Sequence, residues 1–90
     1  MSNQFKGQVA VVTGAASGLG LAIADRLHAE GGTVALLDLN ETTLSSAAKK
    51  IGERAFAFTL DLTNESNVAK VIDQVGERFG RIDILVNSAG

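Results

Sequence analysis

No cysteine, tyrosine, tryptophan or proline occurs among the 90 residues of this chain. The absence of cysteine excludes disulfides and thiolate metal sites, and suits a reducing compartment. The one histidine, His28, cannot supply a metal cluster. It falls on the polar sector of the first helix expected from the sequence, where a solvated surface side chain is the ordinary outcome. Aromatics amount to Phe5, Phe56, Phe58 and Phe79. Eight Lys and Arg stand against ten Asp and Glu, for a net charge of −2 with no basic stripe. A nucleic-acid surface, built from clustered cations with interleaved aromatics, is therefore not expected. The N-terminal stretch Met1 to Lys6 is mostly polar, and no apolar run is long enough to span a bilayer. No membrane partner is expected, and the location expected is cytoplasmic.

What the chain has is apolar material and glycine: 46% hydrophobic residues and ten glycines. Its length allows a single small domain over residues 1–90. The stretch Val-Ala-Val-Val-Thr-Gly-Ala-Ala-Ser-Gly-Leu-Gly, residues 9–20, organises the rest. An apolar run ends in a glycine-rich turn, which opens into a segment with Leu19, Ala22, Ile23 and Leu27 at helical spacing. The order is strand, glycine turn, helix. A helix N-terminus carries free N–H groups and the positive end of the helix dipole, so it attracts phosphate. Gly14, Gly18 and Gly20 allow unusual backbone angles, close approach of a pyrophosphate and close packing of helix on strand.

The same alternation continues along the chain. The sequence predicts strands over about 8–13, 33–38, 55–60 and 82–87, and helices over about 18–30, 40–50 and 63–79. Gly31 and Gly32 are expected to stop the first helix, and Gly80 the third. Asn40 and Thr63 are the expected N-caps of the second and third helices. The βαβ rhythm outweighs the alternating Ala and Phe of residues 55–58, which alone would suit an antiparallel strand. It predicts an α/β domain, a doubly wound parallel sheet with helices on both faces. Right-handed crossovers leave the strand order 3-2-1-4. Ligands of such sheets bind where the order reverses, beyond the C-terminal strand ends.

Four strand ends converge there. They deliver the turn 13–20, then Asp38, then Asp61 with Leu62, then Asn87-Ser88-Ala89-Gly90. A glycine turn alone suits many tight connections, and an Asp after a strand often only caps the next helix. All four in register with the strand ends point to a dinucleotide site.

Here the sequence resembles the N-terminal part of the short-chain dehydrogenase/reductase family. The family's T-G-x-x-x-G-x-G is matched by Thr13 to Gly20, and its N-N-A-G by Asn87-Ser88-Ala89-Gly90. Ser88 replaces the second Asn, which bears on one supporting hydrogen bond rather than on the fold. The resemblance covers essentially the whole chain, and the wording of residues 16–22 and 36–39 is similar to 3-hydroxyacyl-CoA dehydrogenases of the family. It implies a truncated Rossmann-type domain with NAD as cofactor. Gly14, Ser17, Gly18, Leu19 and Gly20 would hold the pyrophosphate and adjoining ribose. Asp38 would accept from the adenosine ribose hydroxyls, Asp61 and the Leu62 backbone would meet the adenine, and Asn87, Ala89 and Gly90 would lie along the nicotinamide-side ribose.

The family's catalytic Ser, Tyr and Lys lie beyond its N-N-A-G motif, and this chain has no Tyr. The expectation is a cofactor-binding fragment without its catalytic half and without turnover of its own. The complete enzyme would transfer hydride between NAD(H) and a secondary alcohol or ketone, such as a hydroxyacyl thioester. A non-catalytic nucleotide-binding or self-associating module is the alternative. An S-adenosylmethionine methyltransferase core fits less well, because its glycine turn is normally tighter. The open side of the fourth strand, with Ile82, Ile84, Leu85 and Val86, is expected to pair with a second copy and make a homo-oligomer.

Overall fold

The computed structural model describes residues 3–88. Its elements run β1 (Val9–Thr13), α1 (Gly18–Ala29), β2 (Thr33–Asp38), α2 (Glu41–Ile51), β3 (Ala55–Thr59), α3 (Glu65–Phe79) and β4 (Ile84–Asn87). The strands form one sheet in the order β3-β2-β1-β4, and every neighbouring pair is parallel. Val11 stands opposite Ala35 on one side and Leu85 on the other. The element order and topology are those expected from the sequence.

Alternation along β1 and β2 assigns the two faces. Ala10, Val12, Val34 and Leu36 pack with Ala24 and Leu27 of α1 and Leu44, Ala47 and Ala48 of α2. Val9, Val11, Ala35 and Leu37 face Val75 of α3, with Leu60 closing that side. Both strands are buried on both faces, which is why they read as unbroken apolar runs. Full burial of Val11, Val12, Leu36 and Leu37 contributes about 1.5–3 kcal/mol for each side chain.

The helix ends follow local chemistry. After α1, Gly31 N–H donates to His28 C=O and Gly32 N–H to Leu27 C=O, the paired bonds of a Schellman motif. Asn40 caps α2 by accepting the Thr43 N–H at 2.9 Å. Thr63, expected as the cap of α3, is not the cap. Its N–H and hydroxyl donate to Asp61 Oδ1 at 2.9 and 2.7 Å, and Asn64 caps instead by accepting the Asn67 N–H at 3.1 Å.

β4 is shorter than the stretch 82–87 expected. At Asp83 the side chain takes over one bond to β1: the Asp83 N–H donates to Val9 C=O main chain to main chain, but the Val9 N–H donates to the Asp83 carboxylate, both at 2.8 Å. Arg81 in turn chelates that carboxylate. The edge strand β3 bears Phe56, which packs on Phe79 with the Arg78 guanidinium 4.5 Å above its ring.

His28 is not the solvated surface residue expected. Its ring is half-buried against Gly52, and Nε2 is buried without a hydrogen-bond partner among the described residues. Among the described residues, no helix is long and apolar enough to cross a membrane.

Candidate functional site

The site grows out of the turn that joins β1 to α1. Thr13, the last residue of β1, is buried, and its hydroxyl donates to Asn87 Oδ1 at 3.0 Å with Val86 C=O as the alternative acceptor at 3.3 Å. This bond joins the two strands between which the order of the sheet reverses. The chain then turns through Gly14 and Gly18, whose φ angles of 66° and 60° are open to glycine and strained for other residues. Between them Ala15 and Ala16 are buried, while Ser17 is exposed.

Ser17 is the N-cap of α1, but its side chain makes no capping hydrogen bond. The first bond from the cap runs from Leu21 N–H to Ser17 C=O at 3.4 Å. The N–H groups of Gly18 and Leu19 lie ahead of it, in the turn that has no partners within a helix. Leu19 is 71% exposed, and a Cβ built on Gly18 would have open space around it. Gly20 is the opposite case. It is buried, and a Cβ there would run into the Gly14 carbonyl oxygen and Ser88 Oγ. The N-terminus of α1 is thus uncovered on one side and pressed onto the end of β1 on the other.

Asp38 ends β2 beside this turn. Its Oδ2 accepts the Ala16 N–H at 3.0 Å, and its Oδ1 accepts the Leu39 N–H at 2.7 Å. The tie between Asp38 and the glycine turn had no sequence signal beyond the spacing of the two strands. Asp61 lies past β3, exposed, and is held by Thr63. The Thr63 hydroxyl and N–H keep its carboxyl below its usual range. Leu62 shares a cavity of about 190 Å³ with Thr13, Val68, Ile72, Leu85 and Asn87, at the ends of β1 and β4. Ser88, in place of a second Asn, donates its hydroxyl to Thr13 C=O and so does tie the strand ends together. The structure thus gathers Gly14, Ser17, Gly18, Leu19, Gly20 and Asp38 around one turn, while Leu62 and Asn87 line a cavity with Thr13 and Asp61 is not among its lining residues. Ala89 and Gly90 lie outside the described residues. Among the described residues, no three His, Cys, Asp or Glu side chains group as metal ligands.

Known proteins share this fold. The family model for short chain dehydrogenases matches residues 8–90. The bovine (Bos taurus) 3-hydroxyacyl-CoA dehydrogenase type-2 is 46% identical over 85 residues, covering 94% of this chain and 33% of that protein. The 1,6-dihydroxycyclohexa-2,4-diene-1-carboxylate dehydrogenase of Pseudomonas putida is 41% identical across 100% of this chain and 34% of its own length. Among solved structures, a short chain dehydrogenase from Bacillus anthracis superposes with a TM-score of 0.86 at 34% identity, covering 92% of this chain and 34% of that one. The 3-ketoacyl-(acyl-carrier-protein) reductase of Brucella melitensis, solved in complex with NADH, gives 0.83 at 34% identity, over 89% of this chain and 33% of that one. The chain spans about a third of the length of these relatives. With the family model matched from the start of β1 onward, the chain belongs to the short chain dehydrogenase family.

Proposed function

We propose that this chain binds a nicotinamide adenine dinucleotide, NAD(H) in preference to NADP(H), as the cofactor-holding part of an oxidoreductase. The observation that carries the reading is the juxtaposition of an acid at the end of β2 with the glycine turn at the end of β1, where Asp38 Oδ2 lies 3.0 Å from the Ala16 nitrogen. The residues present fit such a group. The open side of Gly18 and the N–H groups of Gly18 and Leu19 suit a pyrophosphate, with the Ser17 hydroxyl as a further donor. A carboxylate has about four acceptor sites, so Asp38 keeps capacity for ribose hydroxyls beside its two main-chain bonds. Asp61 Oδ2 takes no part in the Thr63 bonds and suits an adenine amino group, next to the Leu62 main chain. The Asn87 Nδ2 group is not used in the Thr13 bond and suits the nicotinamide-side ribose, together with Ala89 and Gly90.

Hydride transfer is the chemistry that the bound nicotinamide supplies. The substrate class we assign to the complete enzyme is a secondary alcohol or ketone, such as a hydroxyacyl thioester. The bovine relative and the Brucella reductase, named for a hydroxyacyl-CoA and a ketoacyl-carrier substrate, support it. The chain would supply the grip on the cofactor, and none of its residues is assigned a catalytic role. The reading carries with it a cytoplasmic location and self-association through the edge of β4 that has no ladder partner among the described residues.

Cofactor preference is the test. A 2′-phosphate beside Asp38 sets two like charges against each other, about 4 kcal/mol at 4 Å in an effective dielectric of 20, reduced by salt. Calorimetric titration is expected to show NAD binding more tightly than NADP, with the gap narrowed in Asp38→Ala. Equal affinities in the unmutated chain would overturn the preference.

A further inference from the structure

We infer that Asp38 is also a positioning residue: its carboxylate tethers the glycine turn in the shape that presents the N-terminus of α1 to an anion. The inference rests on the reading of the turn as a pyrophosphate site, and it concerns a contact made before any ligand arrives. The turn runs between two positive-φ glycines, Gly14 and Gly18. Two hydrogen bonds tie it to the end of β2. Ala15 N–H donates to the Leu37 carbonyl at a long 3.3 Å, and Ala16 N–H donates to Asp38 Oδ2 at 3.0 Å. The first is neutral and stretched. The second ends on a carboxylate, the stronger kind of acceptor. Ser17, the residue placed to cap α1 with its own side chain, does not do so. The Ala15 and Ala16 side chains have no polar atoms to offer.

The carboxylate is itself fixed. Oδ1 accepts the Leu39 N–H at 2.7 Å, so Asp38 bridges its own following residue and the turn with one oxygen for each. Its charge is of the wrong sign for a neighbour of a phosphate, and a purely electrostatic account would have the anion site improve when the charge is removed. The tether predicts the reverse. Loss of the carboxylate frees Ala16, the turn samples other conformations between Gly14 and Gly18, and the N–H groups of Gly18 and Leu19 lose their common direction.

Two measurements on Asp38→Ala decide it. The first needs no ligand: amide hydrogen exchange by NMR. Exchange at Ala16 is expected to rise at least tenfold, while Val11 and Leu36 in the sheet stay protected and report an intact fold. The second is titration with inorganic pyrophosphate, which has no ribose for Asp38 to touch. Its affinity is expected to fall severalfold. Unchanged exchange at Ala16, or pyrophosphate bound as well or better in the variant, would overturn the inference. Should Asp38→Ala fail to fold, Asp38→Val, which likewise offers the Ala16 N–H no acceptor, is read by the same two criteria. Failure of the unmutated chain to bind pyrophosphate would count against the phosphate reading of the turn, leaving Ala16 exchange to decide whether the tether exists.

Discussion

The Ser88 hydroxyl donates to the Thr13 main-chain carbonyl across 75 residues of sequence, and Gly20 packs against Ser88 and the main chain of Gly14. A Cβ at Gly20 would collide with the Gly14 carbonyl oxygen and with Ser88 Oγ. Gly20→Ala is therefore expected to cost about 1–3 kcal/mol, the usual range for forcing extra volume into a packed region. Urea denaturation measures it. The double variant Gly20→Ala, Ser88→Ala should recover only part of the loss, because the Gly14 main chain cannot be trimmed. Full recovery would make Ser88 the sole obstacle.

The cap of α3 separates two neighbouring residues. Asn64→Ala is expected to cost about 1 kcal/mol, since it strips the acceptor from the Asn67 N–H at the start of the helix. Thr63→Ala removes a hydroxyl bond to Asp61 and leaves that cap in place. Comparing the thermal stability of the two variants with their helical content checks the assignment. Greater loss of helix in Thr63→Ala would reverse it.

His28 gives the fold a pH dependence. Burial, followed by the nearby Arg54 charge, lowers its pKa from the ordinary 6.5, and Asp25 opposes the shift weakly. A histidine whose folded pKa is depressed resists protonation only in the folded state. Its contribution to stability is complete above the unfolded pKa and is lost as the pH falls below 6.5 toward the folded value. Denaturation midpoints are expected to fall over that window and to level off once the folded ring also protonates. His28→Gln should flatten this segment of the profile; an unchanged profile would place the dependence on other groups.

The sheet was legible because β1 and β2 are buried on both faces and carry almost nothing but Val, Ala and Leu, while α1 to α3 announce themselves by spacing and by the glycines that follow them. Asn40 was legible as a cap for the same local reason. Thr63 misled because the residue two before it, Asp61, competes for its N–H and hydroxyl, so the helix begins one residue later. His28 misled because its environment is set by Gly52 and Arg54, which come from beyond β2 and cannot be seen from the periodicity of α1. The site shows the same division. The glycine turn, Asp38 and Asn87 stand at the strand ends, where the sequence register puts them. The bonds that lock them, Ala16 to Asp38, Thr13 to Asn87 and Ser88 to Thr13, join residues 22, 74 and 75 positions apart and depend on the closed sheet.

The edge of β4 carries the last prediction. Among the described residues, β4 pairs with β1 alone, so one side of its backbone has no ladder partner within the sheet. Such an edge is a template for another strand. Its two faces are unequal. Ile84 and Val86 stand on the α1 and α2 side and pack against that core. Leu85, opposite Val11, is on the α3 side and 58% exposed. Lysine at Ile84 would therefore damage the protein's own core, whereas Leu85→Lys adds charge to the edge where the fold has little to lose. Pairing of two β4 strands in antiparallel fashion would make an eight-stranded sheet with the two Leu85 side chains near its centre. Sedimentation of the unmutated chain at tens of micromolar is expected to show a dimer, and Leu85→Lys to shift it toward monomer with the fold retained by circular dichroism. A soluble monomer of the unmutated chain would end the idea, and a dimer unaffected by Leu85→Lys would move the interface away from β4.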